Sequence, residues 1–397
     1  MLPFSGKSFL CFALCLLLGS TGFAQLADPE RDDFGEVETS GPAVETAAVD
    51  DSLPDGDVKP AIMTVLENEP FRLSTAFLKK AVENGADINA RNSNGESVLI
   101  RAIRTNCSPE IIDFLLKNGA DPFATDNIGL RDMETIVESE SCVELLPVFL
   151  KNGVDINYKN ADDGESLLAH AIAFENNLRV AEKLIELGAN IDLSALIACS
   201  SCHDKDFFNK ILAKTPDVNE GDKNGRTALM AFSENCQDVE LIKALIDKGA
   251  KLETRDKEKN TALILAASQN RNPEIAATLI EKGADLNAAN RLGRTPFLAA
   301  VERGNTAAIT MLINKGAKIN ALTSKEETAL HLAVNNSHKD CEQLVKDLLD
   351  AGVDATLMDD ECRTAYDIAE YNCKDKLASE VFKRLKIECS KNFIAKD

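Results

Sequence analysis

The chain has 397 residues, a formal net charge of −21, 44% hydrophobic residues, 5% aromatics and no tryptophan. That hydrophobic content is ordinary for a folded protein. The acidity argues against a nucleic-acid binder, whose expected footprint is a basic patch.

Residues 1–24 read as a secretory signal peptide. Lys7 supplies the positive end, Phe9 to Leu18 the apolar run, and Gly22 and Ala24 the small residues before a cut at Gln25. The run is too short to span a bilayer. The expectation is an exported protein, periplasmic or secreted, with no membrane insertion after cleavage. Cys11 and Cys15 leave with the peptide. Residues 25–57 are an acidic stretch, rich in Pro, Gly, Ala and Thr, with Arg31 as its one basic residue before Val58. Such a composition buries too little apolar surface to offset chain entropy and reads as a disordered linker.

From about residue 58 one pattern recurs. Asn84-Gly85-Ala86-Asp87-Ile88-Asn89 is repeated as Asn118-Gly119-Ala120-Asp121, Asn152-Gly153-Val154-Asp155-Ile156-Asn157 and Lys282-Gly283-Ala284-Asp285-Leu286-Asn287. Related copies surround Gly188, Gly249, Gly316 and Gly352, and Thr215-Pro216-Asp217-Val218-Asn219 is a degenerate one. The glycines fall 33 to 36 residues apart, with one gap of 61 around the degenerate copy. A fixed period in this range signals a stacked array of small units. Before most glycines runs an amphipathic stretch with helical spacing, such as Val239 to Ile246. The glycine ends that helix by entering the left-handed region. A second, shorter helix opens each unit at Arg226-Thr227-Ala228-Leu229, Asn260-Thr261-Ala262-Leu263, Arg294-Thr295-Pro296-Phe297 and Glu327-Thr328-Ala329-Leu330. Its threonine is placed to cap it, and Pro296 suits its first turn.

This pattern resembles the ankyrin repeat. The T-P-L-H-x-A signature is matched by Thr328 to Ala333, with Ala329 in place of proline. The resemblance spans residues 58–390 and leaves 391–397 as a C-terminal tail. It implies an all-α ankyrin-repeat solenoid of about ten helix–turn–helix units with short hairpin fingers. Three units depart from the pattern. The first lacks the threonine motif and reads as a cap. The third places Pro147 inside its outer helix, a predicted kink. The fifth has no room for a finger between Ile191 and Ser194.

The resemblance also implies a non-catalytic scaffold, with no cofactor, that binds a protein partner through fingers and inner helices. The candidate contacts are the finger residues Asn94, Lys223, Arg226, Lys257, Arg291, Arg294 and Lys325. The expected state is a monomer with an unidentified protein partner. No H-E-x-x-H, P-loop, G-x-G-x-x-G or nucleophile-elbow pattern is present. His331 sits at the repeat's histidine position and is expected to bond locally.

Nine cysteines follow residue 24. Cys107 and Cys142 stand just before the outer helices of adjacent units. So do Cys202 and Cys236, and Cys341 and Cys373. In an oxidising compartment these three pairs are candidate inter-repeat disulfides, although neighbouring repeats lie about 10 Å apart and a disulfide wants Cα atoms within about 7 Å. Cys199-Ser200-Ser201-Cys202-His203 also matches a C-x-x-C-H haem attachment pattern. That makes a redox or c-type haem protein built on Cys199, Cys202 and His203 the alternative function. A secreted effector binding host proteins is a further alternative.

Overall fold

The computed structural model describes residues 62–70, 73–127, 132–137, 140–160, 164–174, 178–202, 204–335, 341–372 and 379–394. The predicted signal peptide and acidic linker lie outside the described residues, as do His203 and Cys373. Twenty α-helices are described, with no strand among the described residues, and the all-α array is the observed fold. The chain divides near Thr135 into two compact units.

The first unit holds α1 (Ile62–Asn68), α2 (Thr75–Glu83), α3 (Val98–Arg104) and α4 (Pro109–Lys117). α5 (Asp132–Val137) carries the sequence across the boundary. Ser97 is the N-cap of α3, its hydroxyl accepting the Ile100 N–H, and α3 buries Val98, Leu99, Ile100, Ala102 and Ile103. The hairpin finger before α3 closes through an isolated bridge between Arg91 and Ser97.

The second unit runs through α6 (Leu146–Lys151), α7 (Leu167–Ala173), α8 (Leu178–Glu186), α9 (Leu193–Ala198), α10 (Lys205–Lys214), α11 (Ala228–Asn235), α12 (Val239–Asp247), α13 (Ala262–Gln269), α14 (Pro273–Glu281), α15 (Pro296–Arg303), α16 (Thr306–Asn314), α17 (Ala329–Asn335), α18 (Cys341–Asp350), α19 (Ala365–Asn372) and α20 (Ser379–Ile394). From α7 onward the odd-numbered helices are inner and the even-numbered outer. Inner helices are buried almost all round: α11 from Ala228 to Glu234, α13 from Ala262 to Ala267, α15 from Pro296 to Val301. That is why they are rich in alanine and leucine and show little polar face. Outer helices bury one stripe, Leu241, Ile242 and Leu245 in α12, and turn the rest to water. Thr227, Thr261 and Thr295 are N-caps, as expected, each accepting a backbone N–H three residues on.

The recurring glycines hold left-handed angles, from φ +82° at Gly352 to +102° at Gly249. A Cβ at Gly283 would meet nothing within 4 Å, so conformation alone, not space, demands glycine there.

The asparagine of the same motif has a separate task. Asn219 Nδ2 donates to the Gly249 carbonyl, and its Oδ1 accepts the Lys251 N–H at 2.8 Å. Asn287 accepts the Lys318 N–H and Asn320 the Asp354 N–H. Each amide therefore stitches its own repeat to the next. In the first unit Asn89 does the same with Gly119 and Asp121.

Two expectations need correction. Pro147 does not kink a helix. It stands in the first turn of α6, behind a 3-10 segment over Glu140–Leu145, where the missing N–H has no intrahelical partner to lose. The third outer helix is thus short rather than bent. The last helix runs to Ile394, beyond the expected limit at 390, because no glycine or proline interrupts Ser390 to Ile394.

Candidate functional site

In the second unit the hairpin fingers form a hydrogen-bonded row. Each finger starts with a residue whose side chain caps its own turn. Asp222 Oδ1 accepts the Asn224 and Arg226 N–H groups. Asn290 Oδ1 accepts those of Leu292 and Arg294, and Asp359 Oδ1 those of Glu361 and Arg363. Thr323 makes the same turn with its hydroxyl. The tips then bond to one another through the main chain. Lys257 N–H donates to the Asn224 carbonyl at 2.8 Å, Arg291 to Glu258 at 2.9 Å, Ser324 to Leu292 at 2.9 Å and Asp360 to Lys325 at 3.0 Å. Exposed side chains on this row are therefore held at a fixed spacing by backbone.

Lys223, Lys257, Arg291 and Lys325 all stand exposed on these tips, so the structure brings four of the candidate contacts onto one row. Arg291 is partly engaged, donating to the Lys257 carbonyl at 2.8 Å. Asn94 is exposed too, but it belongs to the first unit, where its carbonyl accepts the Asn127 N–H.

Arg226 and Arg294 are different. Both are half-buried, and each pairs with an acid eight residues on, Arg226 with Glu234 and Arg294 with Glu302. These pairs tie a finger to the inner helix behind it. Burial pulls the Arg226 guanidinium below its usual range. In the first unit the same positions carry the reversed pair Glu96 and Arg104. The recurrence with swapped sign marks a structural brace.

Three tip residues are not among the candidate contacts. Gly225 and Gly293 take positive φ at the third tip position, and Lys259, Glu326 and Cys362 take it at the equivalent place, with φ of 61°, 56° and 59°. All three are exposed. Left-handed backbone costs a side chain roughly 1–2 kcal/mol, and strain of this kind points toward function when it is observed. Aligning the fingers on their threonines, with glycine as the expected residue, would have exposed them. The row also carries an apolar tip, Leu292, 48% exposed, with Leu322 and Met358 exposed at finger bases. Its charge shifts along the stack, from mainly basic (Lys223, Lys257, Lys259 and Arg291, with Glu258 among them) to mainly acidic (Glu326, Asp360 and Glu361, with Lys325 and Arg363 among them).

The fifth repeat has no finger: α9 follows directly on Asp192, whose carboxylate accepts the Ala195 N–H and pairs with Lys159 at 2.7 Å. The C-x-x-C segment lies at its far end. Cys199 and Cys202 are buried, at 0% and 5% exposure. A haem held by thioethers needs both sulfurs at an open face, and the Cys199 sulfur is enclosed. Cys107, Cys199, Cys202 and Cys236 are thiols in the structure, and the Cys341 thiol donates to the Ala333 carbonyl at 3.4 Å. His331 fills its expected local role. Its Nδ1 accepts the Thr328 N–H, which leaves Nε2 to donate to the Arg363 carbonyl at 2.9 Å in the next repeat.

Among the described residues no helix is long and apolar enough to cross a membrane. Family models described as ankyrin repeats match residues 72–116, 195–290 and 287–359, together more than half of the chain.

Proposed function

Since the chain belongs to the ankyrin-repeat family, we propose that the second unit is a docking scaffold, without chemistry of its own, whose partner lies along the finger tips from Lys223 to Glu361. The observation that carries this reading is the backbone-bonded tip row, which fixes Lys257, Lys259, Arg291, Leu292 and Lys325 in space while leaving them exposed. Preorganised side chains lose little freedom on binding, which favours affinity. The row's charge order calls for a protein surface with acidic groups facing repeats six to eight and Lys325, and basic groups facing Glu326, Asp360 and Glu361. Leu292 would enter an apolar pocket on that surface.

The setting is also part of the proposal. The composition of residues 1–24 supports export and cleavage before Gln25. The protein then acts as a monomer, periplasmic or secreted.

Capture experiments with the chain from Gln25 onward test both parts. Wild-type bait is expected to retain a stoichiometric partner from envelope extract, with affinity that falls as salt rises. The double reversal Lys257→Glu and Arg291→Glu is expected to lose it while keeping the same helical circular dichroism. Equal retention by both baits would exclude the finger row as the contact surface. A partner found only in host cytosol would overturn the envelope assignment instead.

A further inference from the structure

Cys202 has two cysteines as possible partners: Cys236 at the equivalent place in the next repeat, and Cys199 in its own loop. The backbone distinguishes them. Cys199–Ser201 forms a single 3-10 turn at the end of α9, and the Cys202 N–H donates to the Cys199 carbonyl at 3.0 Å. In such a turn residues three apart lie on the same face. A turn closed by this bond also keeps its end Cα atoms within about 7 Å, inside the range a disulfide accepts. Neighbouring repeats, by contrast, are about 10 Å apart. Both sulfurs of the turn are buried, and the two thiols sense each other: burial first, and then the Cys202 charge, raises the Cys199 thiol.

The neighbouring loops show why this loop is special. Asn270 stands one repeat beyond Cys236 at the equivalent loop position. Its Nδ2 reaches back to the carbonyls of Ser233 and Cys236, at 2.9 and 2.7 Å. Asn305 reaches back in the same way to Ala267 and Asn270. Two successive loops are thus pinned to their predecessors by an amide. Position 236 carries a cysteine, which has no amide with which to pin the loop of the fifth repeat. Cys236 and Cys202 instead accept the N–H of Asp238 and Asp204, at 3.3 and 3.4 Å.

We propose that Cys199 and Cys202 are a disulfide-forming site that closes the α9–α10 loop on itself. Glutathione disulfide is a sufficient oxidant. The Cys202 thiolate attacks one of its sulfurs and expels a glutathione thiolate, leaving a mixed disulfide. The Cys199 thiol then gives up its proton, attacks the Cys202 sulfur and expels the second glutathione thiolate. Two protons and two electrons leave the protein, and glutathione disulfide becomes two thiols.

The full chain from Gln25 tests this directly. It is refolded in a buffer of reduced and oxidised glutathione, alkylated, and cleaved after lysine and arginine. Residues 184–205 contain both Cys199 and Cys202, and residues 227–243 contain Cys236. The expected result is a 184–205 peptide two hydrogens lighter than its reduced form and free of alkyl groups, in the wild type and in Cys236→Ser alike. A 184–205 peptide joined to 227–243 would overturn the assignment in favour of the inter-repeat pair. Full alkylation of both Cys199 and Cys202 at an oxidising poise would overturn it outright. Cys236→Ser removes the competing partner, and the wild-type peptide map decides between the two pairings whether or not that variant folds.

Discussion

Lys259, Glu326 and Cys362 hold a backbone conformation that suits glycine. Replacing Lys259 or Glu326 by glycine is expected to stabilise the array by about 1 kcal/mol per site, read as a higher denaturant midpoint. If the tips contact the partner, the same substitutions weaken binding while they strengthen the fold, and that opposition separates a binding role from a merely structural one. The acidic tip turns make a second residue-level prediction. Burial alone would raise the Asp359 carboxyl, but hydrogen bonds from Arg363, the Glu361 N–H and the Arg363 charge outweigh it and hold the group below its usual range. The Lys205 ammonium lowers Asp238 in the same way. A folded value below the unfolded one means the contribution is complete above about pH 4 and is lost as pH falls through the folded value. Denaturant midpoints should therefore be flat from neutrality down to that region and fall below it. Asp359→Asn should fall less steeply. The braces Arg226–Glu234 and Arg294–Glu302 were not legible beforehand. Their partners stand eight residues apart, across a turn, where neither helical nor strand periodicity relates them.

Among the elements, caps and stops could be read directly: Thr227, Thr261 and Thr295 begin helices, and Gly249, Gly283 and Gly316 follow their ends. Pro147 could not, because a proline disfavours a helix interior but suits a first turn, and only the start of the helix tells the two apart. Pro147→Ala is accordingly expected to shift stability by less than about 0.5 kcal/mol, where a true mid-helix proline would cost about 3. The stitching amides were equally hidden, since their partners lie some thirty residues away (in the next repeat) and leave no local mark. Asn270 is the sharpest test. Its alanine variant strips the Ser233 and Cys236 carbonyls of the amide donor, at a cost of about 1–3 kcal/mol, measured by equilibrium unfolding. Asn272→Ala, which removes the half-buried N-cap of α14, is expected to cost about 0.5–2 kcal/mol.

For the whole molecule, the repeat register was legible because one glycine and one threonine per unit mark the end of one helix and the start of another. The division near Thr135 leaves the period of the motif unchanged and shows only in Met133 and Ile136, which replace the usual leucine and alanine of the third unit. Within the second unit each repeat touches its immediate neighbours, so stability is close to a sum of local terms. Hydrogen exchange should accordingly be slowest in α13 and α15, where the inner helices are buried all round, and faster in α9. Uniform protection from α7 to α19 would show instead that the unit opens as one body.

The missing fifth finger has a mechanical meaning as well. The fingers from Lys223 to Asp360 are laced tip to tip, so a load drawn along them is shared among successive rungs. At the fifth repeat that tip lacing is interrupted, and the load passes through packed helices and side-chain links such as Lys159–Asp192 and Lys205–Asp238. Pulled from its two ends, the second unit should yield first at this break, giving a short extension step before the laced repeats lengthen. A partner gripping several tips at once would then act as a splint on one side of the break and leave the other side compliant.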